Sequence, residues 1–350
     1  MGGGRRRSPP PVFFVPYGDD KIRWFQLDGL RGWMHEVRST QQEREERMIL
    51  PVRKNKKVDH VLYLMLVPAL ILVIIYSYGP LGGLVIAFQK YDIARGILNS
   101  EWVGWENFKY LFLRYPDFSR VIWNTLYISF MKLVLRFIAP IVVAILLNEV
   151  GKKTFKRSVQ TMIYLPHFIS WVVISGIMID ILSPTSGVVN ELIKAAGFKS
   201  VYFLGNPALF PFVMVVSDVW KEFGYGTIIY MAALTSIDPS LFEAAIIDGA
   251  NRFQRIRYIT IPGIVPIMVL LGTLSLGSLL NAGFEQIFNL YNSMVYSTGD
   301  VLDTFTYRIG MVNFQYDIAT AVGMLKSGVS LILVSASYYL AYRFADYRIF

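Results

Sequence analysis

Seven charged side chains stand inside stretches of sequence that are otherwise apolar. Lys132 and Arg136 are four residues apart, which puts both on one face of a helix. Asp218, Lys221 and Glu222 fall within a second such stretch, Glu285 near the end of a third and Lys326 within a fourth. Charge at bilayer depth is costly, so these groups must face one another, an aqueous cavity or a passing solute rather than lipid. Two chemistries are open. One is structural ion pairing of Lys132, Arg136, Lys221 and Lys326 with Asp218, Glu222 and Glu285; the other is a lined solute pathway.

Covalent and metal chemistry find little footing. No nucleophile, base and orienting group come together in the sequence, so no catalytic residue is assigned. There is no cysteine, and His35, His60 and His167 are too scattered to offer a ligand set, so no metal site is expected. Gly151-Lys152 resembles the end of a phosphate-binding loop, but Leu146 stands where its earlier glycine belongs and Lys153 where a hydroxyl belongs. ATP hydrolysis is therefore not expected from this chain.

The elements that must position these residues are membrane spans. The 350 residues are 54% hydrophobic with a mean hydropathy of +0.44, more than a solvated surface permits an ordinary globular domain. About 20 mostly apolar residues cross a hydrocarbon core. Six stretches qualify, at about 61–79, 119–148, 159–183, 208–234, 264–288 and 319–343. The first is expected to stop at Gly79 and Pro80. Residues 1–58 form a basic segment, expected to be cytoplasmic and poorly ordered, with a charged run at Arg44–Arg47 suited to a short surface helix and a second possible start at Met48. Residues 59–350 form the transmembrane domain. The net charge of +9 lies mostly beside the spans, notably at Lys152, Lys153, Lys156 and Arg157, which marks inner linkers and not a nucleic-acid surface. The loop 289–318, with Arg308 against Asp300, Asp303 and Asp317, is then outside. So is 184–207, which carries an amphipathic run at Val188–Ala196. Six crossings put both termini in the cytoplasm.

Between the fourth and fifth spans lies an inner loop, 236–262. Asp238 before Pro239 is a good helix start, and Ser240 with Glu243 is an alternative capping box. The helix should end near Ile247, Gly249 should supply a sharp turn, and Arg252 to Tyr258 should form a second short helix. Here the sequence resembles the coupling loop of ABC importer permeases: Glu243, Ala244, Ala245, Asp248, Gly249, Ala250, Ile259 and Pro262 fall on its pattern, with Ile256 where a Phe is common. The run Ala232–Pro239 looks like the same junction in oligosaccharide permeases. Gly283–Asn289 and Asp300–Thr304 resemble the branch that imports complex oligosaccharides and polysaccharide fragments.

The resemblance implies an all-α integral membrane protein, a six-helix bundle of the type I ABC importer kind with a cytoplasmic coupling helix, in a bacterial inner membrane. It implies a second homologous permease subunit, two ATPase subunits that carry ATP and Mg, and an extracytoplasmic solute-binding protein. Glu243 and Asp248 would orient the loop in a groove of the ATPase, with Gly249 making its turn. On the pathway reading, the cations favour acidic sugars such as uronate oligomers, Lys132, Arg136, Lys221 and Glu285 line the route, and Trp220, Tyr225 and Phe284 stack on sugar rings. Aromatic residues also gather at bilayer interfaces. An ion-driven secondary transporter, a membrane-embedded enzyme and a permease for a non-sugar solute remain as alternatives; the first two leave the loop pattern unexplained.

Overall fold

The computed structural model describes residues 13–16, 22–25 and 60–345, with side chains for 63–339. Two units are distinguished, Met1–Leu72 and Val73–Phe350. In the first, Phe13–Pro16 (β1) and Ile22–Phe25 (β2) pair antiparallel, Phe14 opposite Trp24. The segment 1–58 thus holds a pair of antiparallel strands, for which β-branched and aromatic residues supply the propensity. Arg44–Arg47 and Met48 lie outside the described residues.

The first apolar helix, α1 (His60–Val73), does not stop at Gly79 and Pro80. It runs on through a π turn, Ile74–Tyr78, into a 3-10 stretch, Gly79–Phe88. Pro80 occupies the first turn of that stretch, where its missing N–H leaves nothing unsatisfied. Two-residue strands, β3 (Gln89–Lys90) and β4 (Glu101–Trp102), follow. The buried Asn107 amide closes this region by donating to the Ala87 and Gln89 carbonyls at 2.9 and 2.8 Å.

Besides single turns at Gly96–Asn99, Glu106–Lys109 and Tyr296–Gly299, the helices that follow are α2 (Phe118–Asn148), α3 (Lys153–Tyr164), α4 (Trp171–Ile181), α5 (Val188–Ala195), α6 (Phe210–Thr235), α7 (Pro239–Ile247), α8 (Arg252–Arg255), α9 (Ile261–Leu276), α10 (Phe284–Leu290), α11 (Leu302–Tyr307) and α12 (Tyr316–Ala345). Among the described residues four helices are long and apolar enough to cross a membrane, or five if α3 and α4 count as one broken span. The 26-residue α6 is long enough as well, but carries Asp218, Lys221 and Glu222.

Two expected spans are interrupted. The stretch 159–183 tightens into a 3-10 turn at Leu165–Phe168 and breaks after it, so that Lys153–Phe168 and Trp171–Ile181 meet at 103°. Pro166 lies in that turn, and the Ser170 hydroxyl caps α4 by accepting the Val173 N–H at 3.4 Å. The stretch 264–288 begins earlier and ends earlier than expected: Arg252–Leu276 is one helical run, and 277–283 leaves the helix before α10. At its start the Ile261 N–H reaches back five residues to the Ile256 carbonyl, a π turn that absorbs the missing N–H of Pro262. The short helix expected at Arg252–Tyr258 is therefore the beginning of the fifth long helix.

The helices α2 and α6 are the central pair, and three apolar clusters lie along them. One surrounds Phe118, Phe305 and Val322. A second gathers Ile128, Phe210, Met214 and Ile287, and a third Ile141, Ala144, Tyr230 and Ile264. Between the second and third, both helices change to charged residues.

Candidate functional site

The polar layer is built from three segments. Lys132 and Arg136, one turn apart on α2, reach the same carboxylate on α6. Arg136 donates from Nε and Nη2 to the two oxygens of Asp218 at 2.5 and 2.6 Å, and Lys132 Nζ lies 3.4 Å from Asp218 Oδ1. Asp218 is 1% exposed and Lys132 4%, so both charges are out of solvent and each depends on the other. Lys132 also donates to the Ala282 carbonyl at 2.6 Å and to Gln286 Oε1. Gln286, fully buried on α10, donates in turn to the Met214 carbonyl and the Ser217 hydroxyl, both at 2.8 Å. The left-handed Gly283, φ +90°, turns the chain into α10; a Cβ there would lie 3.2 Å from Lys132 Nζ. Two cations against one carboxylate leave one positive charge in the layer, and Arg136, 45% exposed, presents it to open space.

That space is a cavity of about 420 Å³, lined by Arg136 and Lys132 from α2, Asp218, Glu222 and Tyr225 from α6, and residues 275–283. A second polar group stands beside it at the α3/α4 break. His167 Nδ1 is 2.8 Å from Glu222 Oε2, and its ring stacks on Tyr225 at 4.2 Å between centroids and 9° between planes. Lys221 Nζ donates to the His167 carbonyl at 2.6 Å and lies 3.3 Å from Glu222. Residues 221, 222 and 225 of α6 thus hold the break at three points. Backbone contact adds to them, since a Cβ on Gly224 would strike the Ile163 carbonyl.

The segment 300–312 is fastened to the start of α2. Arg308 donates to Asp300 at 2.5 Å, Asn124 to the Asp300 carbonyl at 3.1 Å, and the Leu302 N–H to the Thr125 hydroxyl at 2.8 Å. Lys326 pairs with Asp303 of α11.

The residues expected on the pathway separate. Lys132, Arg136 and Tyr225 line the cavity. Lys221 is buried beneath His167, and Phe284 packs on Phe288 and Tyr307. Trp220 borders a different, apolar groove with Val216 and Phe212. Glu285 is exposed and makes no ion pair among the described residues, so the pairing expected of it is taken over by Asp303 for Lys326 and by the neighbouring neutral Gln286 for Lys132. The sequence assigns no site role to His167, Ser217, Gln286 or Asp303. Pro166 before His167 carried a readable break signal; the face of Gln286 did not, because α10 is only seven residues long.

The loop 236–262 has sharply defined local structure. Asp238, not Ser240, caps α7, accepting the Ser240 N–H at 2.9 Å. Glu243 and Ala244 lie exposed on that helix, Ala245 half-buried. Asp248 is its C-cap, Gly249 has φ +79°, and the Gly249 and Ala250 amides return to the Ile246 and Ala245 carbonyls at 3.0 and 2.8 Å, a Schellman ending. Asn251 and Gln254 then form a reciprocal capping box at 2.9 and 2.8 Å. Two successive caps within a few residues hold a tight corner, whose outer surface exposes Ile246, Ile247 (85%) and Phe253.

Comparison with known proteins gives this geometry its relatives. The chain is 41% identical over 294 residues to protein LplB of Bacillus subtilis (strain 168), covering 84% of this chain and 92% of that protein. It is 39% identical over 308 residues to the polygalacturonan/rhamnogalacturonan transport system permease protein YteP of the same strain, covering 88% and 94%. Its fold superposes with a TM-score of 0.77 and 41% identity on a chain of a bacterial ABC transporter involved in the import of the acidic polysaccharide alginate, covering 83% of this chain and 98% of that one. The alginate transporter in complex with its alginate pentasaccharide-bound periplasmic protein gives 0.78 and 40%, covering 85% and 99%. Residues 136–350, from the cavity arginine onward, match the binding-protein-dependent transport system inner membrane component family. A mostly helical membrane chain with a caped inter-helix corner and a polar cavity between its two central helices, this protein belongs to that family of ABC transporter permeases.

Proposed function

We propose that this permease passes oligosaccharides or polysaccharide fragments of the uronate type across the bacterial inner membrane. The carrying observation is Arg136: in a layer where two cations share the carboxylate of Asp218, it is the exposed member and lines the cavity. A carboxylate on each sugar unit suits such a group. The acidic substrates in the descriptions of the alginate transporter and of YteP support the same reading. Tyr225 supplies an aromatic surface beside it.

Six crossings follow if the broken pair α3/α4 is one span and α6 another, its charges being paired inside the bundle. Both termini then lie in the cytoplasm, with the corner at Glu243–Pro262 beneath the bilayer. Its exposed Ile246, Ile247 and Phe253 support docking in a groove of a separate ATPase, where Glu243 and Asp248 orient it and Ala244, Ala245 and Ala250 permit close approach. A second, homologous permease chain completes the pathway, two ATPase subunits bind ATP and Mg, and an extracytoplasmic binding protein delivers the sugar. Closure of the ATPases drives the corner, and with it α6 and α9, between two states. Nucleotide drives that exchange by favouring one of them.

The test is uptake by the assembled transporter in proteoliposomes of a uronate tetramer and a neutral tetramer. Arg136→Gln should reduce uronate uptake by about tenfold, the worth of one charge-assisted contact, and spare the neutral sugar. Equal transport of both sugars by the unaltered protein would remove the acidic reading; transport of neither would remove the sugar.

A further inference from the structure

Of the three aromatic residues suited to stacking on a sugar, Tyr225 alone lines the polar cavity. Its ring is backed on one side. His167 covers one face at 4.2 Å with the planes 9° apart, and His167 is itself fixed by Glu222 through Nδ1 and by Lys221 through its carbonyl. His167 does not line the cavity, whereas Tyr225 is half-exposed, so the part of the phenol ring that the cavity meets is the part His167 leaves uncovered. A tyrosine with only one pendant ring and two torsions, backed by a parallel imidazole, makes a flat surface that loses little freedom when a ligand settles on it.

We propose that His167 is a positioning residue for the sugar: standing at the break between α3 and α4, it holds the Tyr225 ring as a platform for the apolar face of a pyranose, while Arg136 reads the carboxylate of the same substrate. The proposal rests on the oligosaccharide reading above and adds a subsite to it. The platform senses a ring face that neutral and acidic sugars share, and Arg136 senses a charge that only one of them has. The two contributions are therefore separable by choice of ligand. The arrangement also gives Lys221 and Glu222 a purpose apart from the cavity charge, since both hold His167 in register with Tyr225, one helical turn along α6.

The experiment is equilibrium binding of labelled neutral and uronate tetramers to the complete transporter in nanodiscs, with thermal unfolding of each variant as a check on assembly. His167→Gln, which retains a hydrogen-bonding group for Glu222 but loses the ring, should weaken both sugars alike by about five- to tenfold, the scale of one aromatic contact. His167→Phe, which keeps a ring and the Lys221 bond to the residue's own carbonyl but loses the Glu222 contact, should lose less than His167→Gln and stay within about threefold of the unaltered protein. Tyr225→Ala should weaken binding as His167→Gln does, and the double variant should be no worse than Tyr225→Ala alone, because the histidine acts through the tyrosine. Equal loss in His167→Phe and His167→Gln would overturn the platform, as would additive losses in the double variant or a loss confined to the uronate. Absence of binding of either sugar to the unaltered transporter would instead sink the substrate class on which the platform depends.

Discussion

Arg136 and Asp218, 82 residues apart in the chain, meet through two parallel hydrogen bonds of 2.5 and 2.6 Å, and Lys132 approaches the same carboxylate from the next turn of α2. One aspartate thus serves two cations at the centre of the bundle. Replacing both partners of a buried pair can be nearly neutral, but removing one leaves charge stranded.

Asp218→Asn should accordingly destabilise the protein by about 3–5 kcal/mol, seen as a lower midpoint in denaturant unfolding of the detergent-solubilised complex. Adding Lys132→Met to that variant removes one of the two stranded cations and should recover part of the loss. A double variant less stable than Asp218→Asn alone would contradict the assignment of Asp218 as their shared counter-ion.

Gly249→Val should cost about 1–2 kcal/mol locally, because the residue sits at φ +79°, where a β-branched side chain is strained. Bulk is not the difficulty, since a Cβ there meets nothing within 4 Å. Gly249→Asn, which tolerates this conformation, should therefore retain more ATPase co-purification and uptake than Gly249→Val. Equal loss in the two would point to contact with a partner in place of backbone strain.

Gly224→Ala should impair assembly severely, as its new methyl group would enter the Ile163 carbonyl, and a peptide group cannot step aside as a flexible side chain does. Gly272→Ala, whose Cβ would lie 3.4 Å from the Phe137 ring, should be tolerated. The yield of folded protein in membranes separates the two outcomes.

Asp238 should show a pH dependence of one sign. The Ser240 backbone N–H, and after it the Ser240 hydroxyl, hold its carboxyl below the ordinary aspartate range. A depressed folded value means the cap contributes fully above the unfolded aspartate value of about 4 and fades as pH falls through the lower folded one. Protection of the first amides of α7 against hydrogen exchange should then be unchanged between neutral pH and about 5 and decline in stronger acid. In Asp238→Asn, which caps without a charge, that acid decline should vanish.

The parts of the molecule legible in the sequence are those set by long runs. The second and fourth spans were expected at 119–148 and 208–234, and the helices run Phe118–Asn148 and Phe210–Thr235. The corner at Asp238–Gly249 was readable because capping is a local matter of residue type at fixed offsets. What escaped depended on contacts between distant segments. The apolar run through Leu165–Phe168 hides a 103° bend because hydropathy records composition and not direction. Glu285 looked like the membrane-embedded charge of its region, yet the left-handed Gly283 sets the phase of α10 so that Gln286 turns inward. Lys326 had three acidic candidates, and the fold gave it Asp303, on a segment read as loop.

The contact of Gly224 with Ile163 has a mechanical side. Two helices that touch through side chains can slip by changing rotamers, but where one backbone rests on another there is no compliant layer to absorb a displacement. Because α6 leads within three residues into α7, the corner and the α3/α4 elbow are joined through one helix and one backbone contact. The glycine makes α6 a stiff lever, with its pivot beside the cavity.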